Sequence, residues 1–334
     1  MGIDLAFIWA GLIAVAILAY VILDGFDLGI GILFPFLKGV RHRDQAMNTV
    51  APVWDGNETW LVLGGGGLFA VFPLAYAIIL PALYAPIIAM LIGLIFRGVA
   101  FEFRWRTNRW KTTWDMSFFL GSLTASFAQG VTLGALIQGI EVSGRAYAGG
   151  WWDWLTPFSL MCGVALVVGY GLLGATWLIM KTDGTLNSRA YHLSWFLAAG
   201  MALVMGIVSI WTPFLDPKFM QRWFSAPSIY YVSVVPVITF ALFVALVLSL
   251  NAKRDGRPFL ISLALFLISY IGLGISMYPF MIPPSITIWQ AAAPDESLRF
   301  LLTGTVVLLP VIVIYTAYSY WVFRGKTRSG EGYH

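Results

Sequence analysis

Charged residues are scarce in this sequence. Only 11% of the 334 residues are charged, whereas 59% are hydrophobic. Because soluble domains carry roughly 25% charged residues, this composition excludes an ordinary soluble protein and predicts a chain that crosses a membrane several times. The net charge of +4 is modest and fits a bias of the loops toward Lys and Arg. We therefore expect no nucleic-acid partner.

Cysteine and histidine are almost absent. The single cysteine, Cys162, excludes an intrachain disulfide and a CxxC metal site. The three histidines are His42, His192 and His334, and none lies in the middle of an apolar segment. A haem within a membrane needs axial ligands at membrane depth, usually His or Met. We therefore expect this chain to bind no haem, metal or other cofactor of its own.

Long apolar segments dominate the sequence. We predict an all-α integral membrane protein with nine transmembrane helices, because a helix pairs its own backbone groups in lipid and needs about 20 apolar residues to cross. The second segment is short, rich in glycine and ends at Phe72-Pro73, so a re-entrant or tilted segment is the alternative there. The nine segments are about 5–36, 57–72, 74–98, 114–140, 155–180, 191–213, 229–250, 258–282 and 299–323.

Lysine and arginine predict the orientation of these helices. With nine helices, sixteen of the 20 basic residues, Arg97 and Arg328 among them, fall in loops on one side of the membrane. The other side holds only four, which are Arg145, Lys218, Arg222 and Arg299. Because cytoplasmic loops carry the excess of Lys and Arg, we expect a periplasmic N-terminus and a cytoplasmic tail over 324–334.

Acidic residues within apolar segments are candidate functional groups, since charge at membrane depth is costly and rare. Asp24 and Asp27 are three residues apart on the first predicted helix and therefore share a face. They have a functional role, or they pair with an arginine or with backbone groups near the cytoplasmic end. Gly25 and Gly29, on the same helix, predict the close approach of a neighbouring helix.

A second acidic pair, Asp55 and Glu58, precedes the second predicted helix. Asp55 is expected to be the N-cap of that helix, and Glu58 completes an arrangement close to a capping box. The two carboxyl groups are also suited to form the mouth of a cytoplasmic proton path, and the two interpretations are compatible. Glu102 is expected to pair with a nearby arginine at the cytoplasmic interface, and Asp115 to cap the fourth helix.

These clusters resemble subunit II of cytochrome bd-type quinol oxidases. The similarity extends from about residue 7 to 323, and the compact length is similar to that of the cyanide-insensitive branch of the family. The two specific motifs are Asp24-Gly25-Phe26-Asp27-Leu28-Gly29 and Pro52-Val53-Trp54-Asp55-Gly56-Asn57-Glu58-Thr59-Trp60. Supporting matches include Phe96-Arg97, Phe101-Glu102-Phe103-Arg104, Trp114-Asp115, Gly174-Ala175-Thr176 and Met277-Tyr278-Pro279-Phe280.

The resemblance implies a single polytopic domain over 1–334 in a bacterial inner membrane. Eight helices would form two four-helix bundles, the first about 5–140 and the second, with a peripheral last helix, about 155–323. A partner, subunit I, would hold the b-type haems, with or without haem d, and a small single-helix subunit is a further candidate partner. Surrounded by lipid, such a complex oxidises quinol and reduces dioxygen to water with cytoplasmic protons.

The resemblance also implies roles for particular residues. The position of Asp55 lies on a proton route at the interface with subunit I, whereas Asp24, Asp27 and Glu102 are weaker candidates for it. Trp60 is expected beside a path for dioxygen, and a quinone can sit in subunit II as a structural element. Many relatives have Gln where this chain has Glu58, so an extra acid here would alter the proton route or improve the helix cap.

Two other functions compete with this interpretation. A proton-coupled secondary transporter would also explain acids at membrane depth, but such proteins usually show broken helices at matched positions of two repeats, and the sequence shows no internal repeat. The other is a scaffold subunit, which differs from the interpretation above only in that its acids take no part in proton movement. Substitution of Asp55 by Asn distinguishes a scaffold from a proton-conducting subunit.

Overall fold

The computed structural model describes residues 4–107 and 109–327. The predictions made for Arg328, for His334 and for the tail beyond residue 327 lie outside the described residues. The described part is almost entirely helical, with two short two-stranded antiparallel ribbons in loops. This architecture agrees with the predicted all-α class.

Fourteen α-helices and four strands follow one another along these ranges, with two short 3-10 helices at Phe34–Phe36 and Thr212–Phe214. The first six helices are α1 (Leu5–Leu33), α2 (Gly39–Asn48), α3 (Trp54–Val71), α4 (Pro73–Ala82), α5 (Tyr84–Arg106) and α6 (Lys111–Gln138). After the strands β1 (Val142–Ser143) and β2 (Ala146–Tyr147) come α7 (Pro157–Lys181), α8 (Gly184–Trp211), α9 (Pro217–Phe224), α10 (Ser228–Val232), α11 (Val234–Asn251) and α12 (Arg257–Met277). The chain continues through β3 (Phe280–Ile282), β4 (Ile286–Thr287), α13 (Ile288–Ala291) and α14 (Asp295–Val322).

The second and third predicted segments are arranged differently from the prediction. Eight helical spans within the described ranges are long and apolar enough to cross a membrane, and α3 with α4 forms a ninth candidate that is bent by 119°. The bend lies at Phe72, whose φ of −123° and ψ of 61° are not helical, because the residue before a proline is driven out of the α region. The segment predicted at 74–98 is therefore wrong in its first part: α4 ends at Ala82, and the third span begins at Tyr84.

The helices pack in two groups that meet along α1, α6 and α7. In the first group, α1 packs on α3 and α6, while α5 packs on α6. In the second, α7 packs on α8 and α12, and α11 packs on the same two helices. The last helix, α14, lies against α1 and α3 and is largely exposed. These contacts agree with two bundles and one peripheral helix, and the division at about 140 and 155 stays a prediction.

Small residues allow α1 and α7 to come into backbone contact. A Cβ atom added to Gly29 would lie 2.8 Å from the backbone nitrogen of Gly174, and one added to Gly25 would lie 2.7 Å from the Tyr170 ring. No side chain larger than hydrogen fits at either α1 position. The close approach predicted from Gly25 and Gly29 is therefore confirmed, and α7 is the neighbouring helix.

The segment after α14 is tied across one end of the molecule. The Lys181 ammonium, at the end of α7, donates to the carbonyl oxygens of Phe323 (2.5 Å) and Gly325 (3.2 Å). The Thr327 amide donates to the Lys181 carbonyl at 2.9 Å, and Gln45 of α2 donates to the Thr327 carbonyl at 2.8 Å. The segment 323–327 thereby connects the exposed helix α14 to both bundles.

An exposed ion pair also holds the segment 323–327 in place, and its loss should have a small, salt-dependent effect on thermal stability. Lys326 lies 2.6 Å from Asp183 and 2.7 Å from Asp255, and these two hydrogen bonds raise the pKa of Lys326. The contribution is therefore complete at neutral pH and is lost as the pH rises above the unfolded pKa of about 10.4. Because exposed pairs contribute at most about 1 kcal/mol, we expect Lys326→Met to lower the thermal midpoint slightly at low salt and not in 1 M salt. Arg324→Met is the control, and a salt-independent difference would contradict the assignment.

Candidate functional site

Arg97 of α5 is at the centre of a buried ionic cluster. Its side chain is completely buried, with Nη1 2.5 Å from Oδ1 of Asp24 and Nη2 2.5 Å from Oε1 of Glu58. The prediction that Arg97 belongs to a cytoplasmic loop is therefore wrong. The helix continues to Arg106, so Arg97 lies about 14 Å inside its end at 1.5 Å per residue. One guanidinium thus joins α1, α3 and α5.

Asp27 occupies a second, adjoining part of this cluster. The Asn57 amide donates to Oδ2 of Asp27 at 2.7 Å and to the Leu23 carbonyl at 3.2 Å. The Tyr320 hydroxyl of α14 donates to Oδ1 of Asn57 at 2.8 Å. Asn57 therefore holds the Asp27 carboxyl in place and anchors the peripheral helix to it.

Exposure decreases from one acid to the next. Asp55 is exposed, the Glu58 side chain is 26% exposed, and Asp24 and Asp27 are completely buried. The prediction of an N-cap at Asp55 is wrong, because α3 begins at Trp54 and places Asp55 in its first turn. Glu58 takes no part in a capping box and is paired with the buried arginine instead. The acids from both motifs thus converge on one cluster that reaches the surface at Glu58.

The two remaining acids singled out in the sequence lie elsewhere. Glu102 is exposed and 3.7 Å from Arg106, one helical turn on, so the predicted pairing with a nearby arginine is confirmed, and Glu102 does not join the buried cluster. The prediction that Asp115 caps the fourth helix is wrong, because α6 begins at Lys111. Asp115 instead accepts from Arg104 at 2.5 Å and from Arg43 at 2.9 Å, and ties α2, α5 and α6 together.

Trp60 lies next to the cluster on the second turn of α3. It is buried, and it packs with Ala16 and Tyr20 of α1 and with Leu309 and Ile312 of α14. Its indole nitrogen finds no hydrogen-bond partner among the described residues. The structure therefore surrounds Trp60 with apolar side chains, and its expected place beside a dioxygen path stays a prediction.

A polar chain that was not predicted extends from the cluster. The Gln129 amide donates to the Tyr20 hydroxyl at 2.6 Å and accepts from the Tyr170 hydroxyl at 2.8 Å. Tyr20 precedes Asp24 by four residues and so lies on the same face of α1. Gln129 is a lone amide within an apolar segment of α6, and this was the one signal in the sequence that pointed to it.

The histidines lie apart from these groups. The His42 Nε2 atom lies 2.9 Å from the Thr185 hydroxyl, and the His192 ring meets the edge of Phe196. Over residues 4–107 and 109–327, no three His, Cys, Asp or Glu side chains are grouped so as to hold a metal ion. A cavity of about 520 Å³ is lined by Arg222, Tyr231, Gly274, Ile275 and Tyr278.

Comparisons with known proteins agree with one another. Residues 5–323 match the sequence profile of the family described as cytochrome bd terminal oxidase subunit II. Cytochrome bd-I ubiquinol oxidase subunit 2 of Escherichia coli K12 is 30% identical, over 96% of this chain and 95% of that protein. Cytochrome bd ubiquinol oxidase subunit 2 of Bacillus subtilis 168 is 29% identical, over 97% of both. A chain of the bd oxidase from Geobacillus thermodenitrificans has the same fold, with a TM-score of 0.77, 18% identity, and coverage of 96% of this chain and 99% of that one.

Proposed function

This chain belongs to the cytochrome bd terminal oxidase subunit II family, and from that membership we propose that it is the haem-free subunit through which protons enter a quinol oxidase. It is a multi-pass protein of a bacterial inner membrane and one subunit of an oxidoreductase, with subunit I as its partner. The predicted family and the predicted fold class are thus confirmed. What the cluster around Arg97 does within the complex is the proposed part.

In the proposed complex, quinol is oxidised at subunit I and dioxygen is reduced there to water at haems. The placement of the histidines supports this division, since His192 is exposed and His42 is half-buried in the short helix α2 beside Thr185. Reduction of dioxygen to water consumes one proton for every electron delivered. A redox centre buried in the partner therefore requires a polar route from water, and this chain contains one.

The proposed orientation brings the cluster close to the cytoplasm. The end of α1, the start of α3 and the end of α5 lie together at one end of the bundle. This end carries basic residues such as Arg43, Arg104 and Lys111. Because such residues accumulate on the cytoplasmic side, we place Asp55 and Glu58 at the cytoplasmic surface, the C-terminus on the same side, and the N-terminus in the periplasm.

The observation that carries the proposal is that one buried guanidinium bridges a partly exposed acid and a completely buried one. Glu58 reaches the surface, Asp24 does not, and Arg97 contacts both at 2.5 Å. Asp27 adds a third carboxyl group, so one positive charge faces three potential negative charges. Because isolated charges are very unfavourable at membrane depth, a proton held among these acids relieves the imbalance, and its exchange between them carries it inward.

Asp55 and Glu58 are the outer acids of the proposed route, and Asp24 and Asp27 are the inner acids. Glu102 stays outside it, because it is exposed and paired with Arg106. The family resemblance implies Gln at position 58 in many relatives. The acid in this chain is explained better as a second carboxylate paired with Arg97 than as part of a helix cap. A dioxygen path at Trp60, a structural quinone and a small third subunit are further parts of the proposal.

Asn at position 24 should slow the enzyme strongly. Asp24→Asn keeps the size of the side chain and one acceptor for Arg97 but removes the group that exchanges a proton. Since proton transfer by a positioned group contributes about 100-fold or more, we expect quinol-dependent oxygen consumption per haem to fall at least about tenfold. Asp55→Asn should have a smaller effect, because an exposed acid can be bypassed by water.

Assembly has to be separated from proton transfer in this experiment. Turnover is normalised to the haem content of the purified two-subunit complex, and Asp183→Asn, an exposed acid outside the route, is the control. Wild-type turnover in a fully haem-loaded Asp24→Asn complex would leave this chain with a structural role only.

A further inference from the structure

The chain formed by Tyr20, Gln129 and Tyr170 is assembled from three helices. Tyr20 belongs to α1, Gln129 to α6 and Tyr170 to α7, and the two joining hydrogen bonds measure 2.6 and 2.8 Å. Both tyrosines are buried, with 4% and 0% exposure. Two hydroxyl groups and an amide are costly to bury without hydrogen-bond partners, and here the three side chains are one another's partners.

The Tyr170 ring is packed between side chains and backbone of neighbouring helices. An added Cβ on Gly25 of α1 would come within 2.7 Å of the ring. Phe266 of α12 stacks on it, with 5.8 Å between ring centroids and 15° between planes. The ring therefore has little freedom to turn, and its hydroxyl stays directed at Gln129.

The hydrogen bonds among these three side chains run in one direction. Tyr170 donates to the Gln129 carbonyl oxygen, and the Gln129 amide nitrogen donates to the Tyr20 oxygen. With its oxygen engaged in this way, Tyr20 keeps its own proton for another acceptor. The reverse orientation of the amide would use the Tyr20 proton and leave the Tyr170 proton without a described acceptor.

The acceptor that its position offers to Tyr20 is Asp24, four residues and one helical turn further along α1 on the same face. Oδ1 of Asp24 is occupied by Arg97, whereas Oδ2 has no close hydrogen-bond partner among the described residues. Tyr20 thus has a spare proton and Asp24 an oxygen without a close partner, one helical turn apart on the same helix.

We propose that Tyr20, Gln129 and Tyr170 are positioning residues that orient the Asp24 carboxyl group for proton exchange and close the proton route behind it. This inference rests on the proposed role of Asp24. An amide passes a proton on only by changing to its imidic tautomer, so the route does not continue through Gln129. A proton that arrives at Asp24 leaves toward the partner subunit and not along α6 and α7.

Tyr20→Phe tests this inference because it removes one hydroxyl and leaves the ring. Loss of a donor to a charged carboxylate disfavours the charged form, so we expect the midpoint of the pH–turnover profile to move up by about one unit. Tyr170→Phe should shift it in the same direction by less, since the freed amide can turn and draw the Tyr20 proton away. The groups facing Asp24, which also contribute to the profile, are Asp27 and Tyr20 of α1, Glu58 of α3, Arg97 of α5, Tyr170 of α7 and Tyr320 of α14.

Tyr270→Phe is the matched control. Tyr270 of α12 donates to the Ala14 carbonyl at 2.9 Å, so its substitution also removes one hydrogen bond to α1, but at a distance from Asp24. Its profile should stay unchanged. The same Tyr20→Phe substitution in an Asp24→Asn background should produce no further shift.

The outcomes separate this inference from the proposed function. If Asp24→Asn changes the profile and Tyr20→Phe shifts it no more than Tyr270→Phe does, the positioning role is wrong while the proton route stands. If Asp24→Asn leaves the profile of the haem-loaded complex unchanged, both are wrong. All variants are measured as purified two-subunit complexes at equal haem content.

Discussion

Arg97→Leu should prevent the accumulation of an intact complex. The substitution leaves Asp24 and Glu58 without their shared cation, and removal of one partner from a buried ion pair destabilises a protein by about 3–5 kcal/mol. This is a large part of a total stability of roughly 5–15 kcal/mol. We expect a severe loss of haem-loaded complex from membranes and a lower thermal midpoint in whatever survives.

Three further variants define the reason for this loss. Arg97→Lys keeps the charge but reaches only one carboxylate, since an ammonium lacks the two-sided geometry of a guanidinium, and should be intermediate. Arg106→Leu breaks an exposed pair and should be close to wild type. The double variant Arg97→Leu with Asp24→Leu replaces buried charge by apolar contacts and should regain stability without regaining turnover. A stable, active Arg97→Leu complex would contradict the account of the cluster.

Gly29→Ala should separate the two bundles at their closest contact. The added methyl group would lie 2.8 Å from both the Tyr170 carbonyl carbon and the Gly174 nitrogen, and these are backbone atoms that cannot turn aside. Overpacking generally costs about 1–3 kcal/mol, and a contact between two backbones lies at the upper end of that range. We expect a lower thermal midpoint and less assembled complex.

The same substitution elsewhere on α1 provides the comparison. A Cβ added to Gly11 meets nothing within 4 Å, and alanine is favoured over glycine in a helix by up to about 1 kcal/mol. Gly11→Ala should therefore match or exceed the wild-type midpoint. If Gly29→Ala behaved like Gly11→Ala, the packing of α1 on α7 would have to differ from the one described.

Hydropathy predicted most of the membrane helices because each needs a long apolar segment, and most boundaries agree within several residues. Hydropathy alone did not place the bend at Phe72, because the apolar segment continues without interruption through the bend into α4, although the glycines and Phe72-Pro73 had made a re-entrant or tilted segment the alternative there. The direction of the chain changes there through the backbone angles of one residue before a proline. A hydropathy pattern contains no information about such angles.

The site was predicted in part for similar reasons. The apolar surroundings of Asp24 and Asp27 indicated burial, and their pairing with an arginine was one of the stated alternatives. Arg97 was assigned to a loop because it lies at the end of an apolar segment, although α5 continues for nine residues beyond it. Gln129 and Tyr170 are 109 and 150 residues from Tyr20, so only the packing of α1, α6 and α7 brings them together.

Proton uptake during a single reaction with dioxygen shows whether Asp24 carries protons to the partner subunit. The reduced two-subunit complex is mixed with dioxygen in the presence of a pH-indicating dye, and haem oxidation is followed in the same sample. In Asp24→Asn we expect proton uptake to slow at least about tenfold, while haem reduction by quinol, measured separately on the oxidised complex without dioxygen, keeps its wild-type rate. Uptake at the wild-type rate in a fully haem-loaded Asp24→Asn complex would show that protons reach the partner subunit by another route.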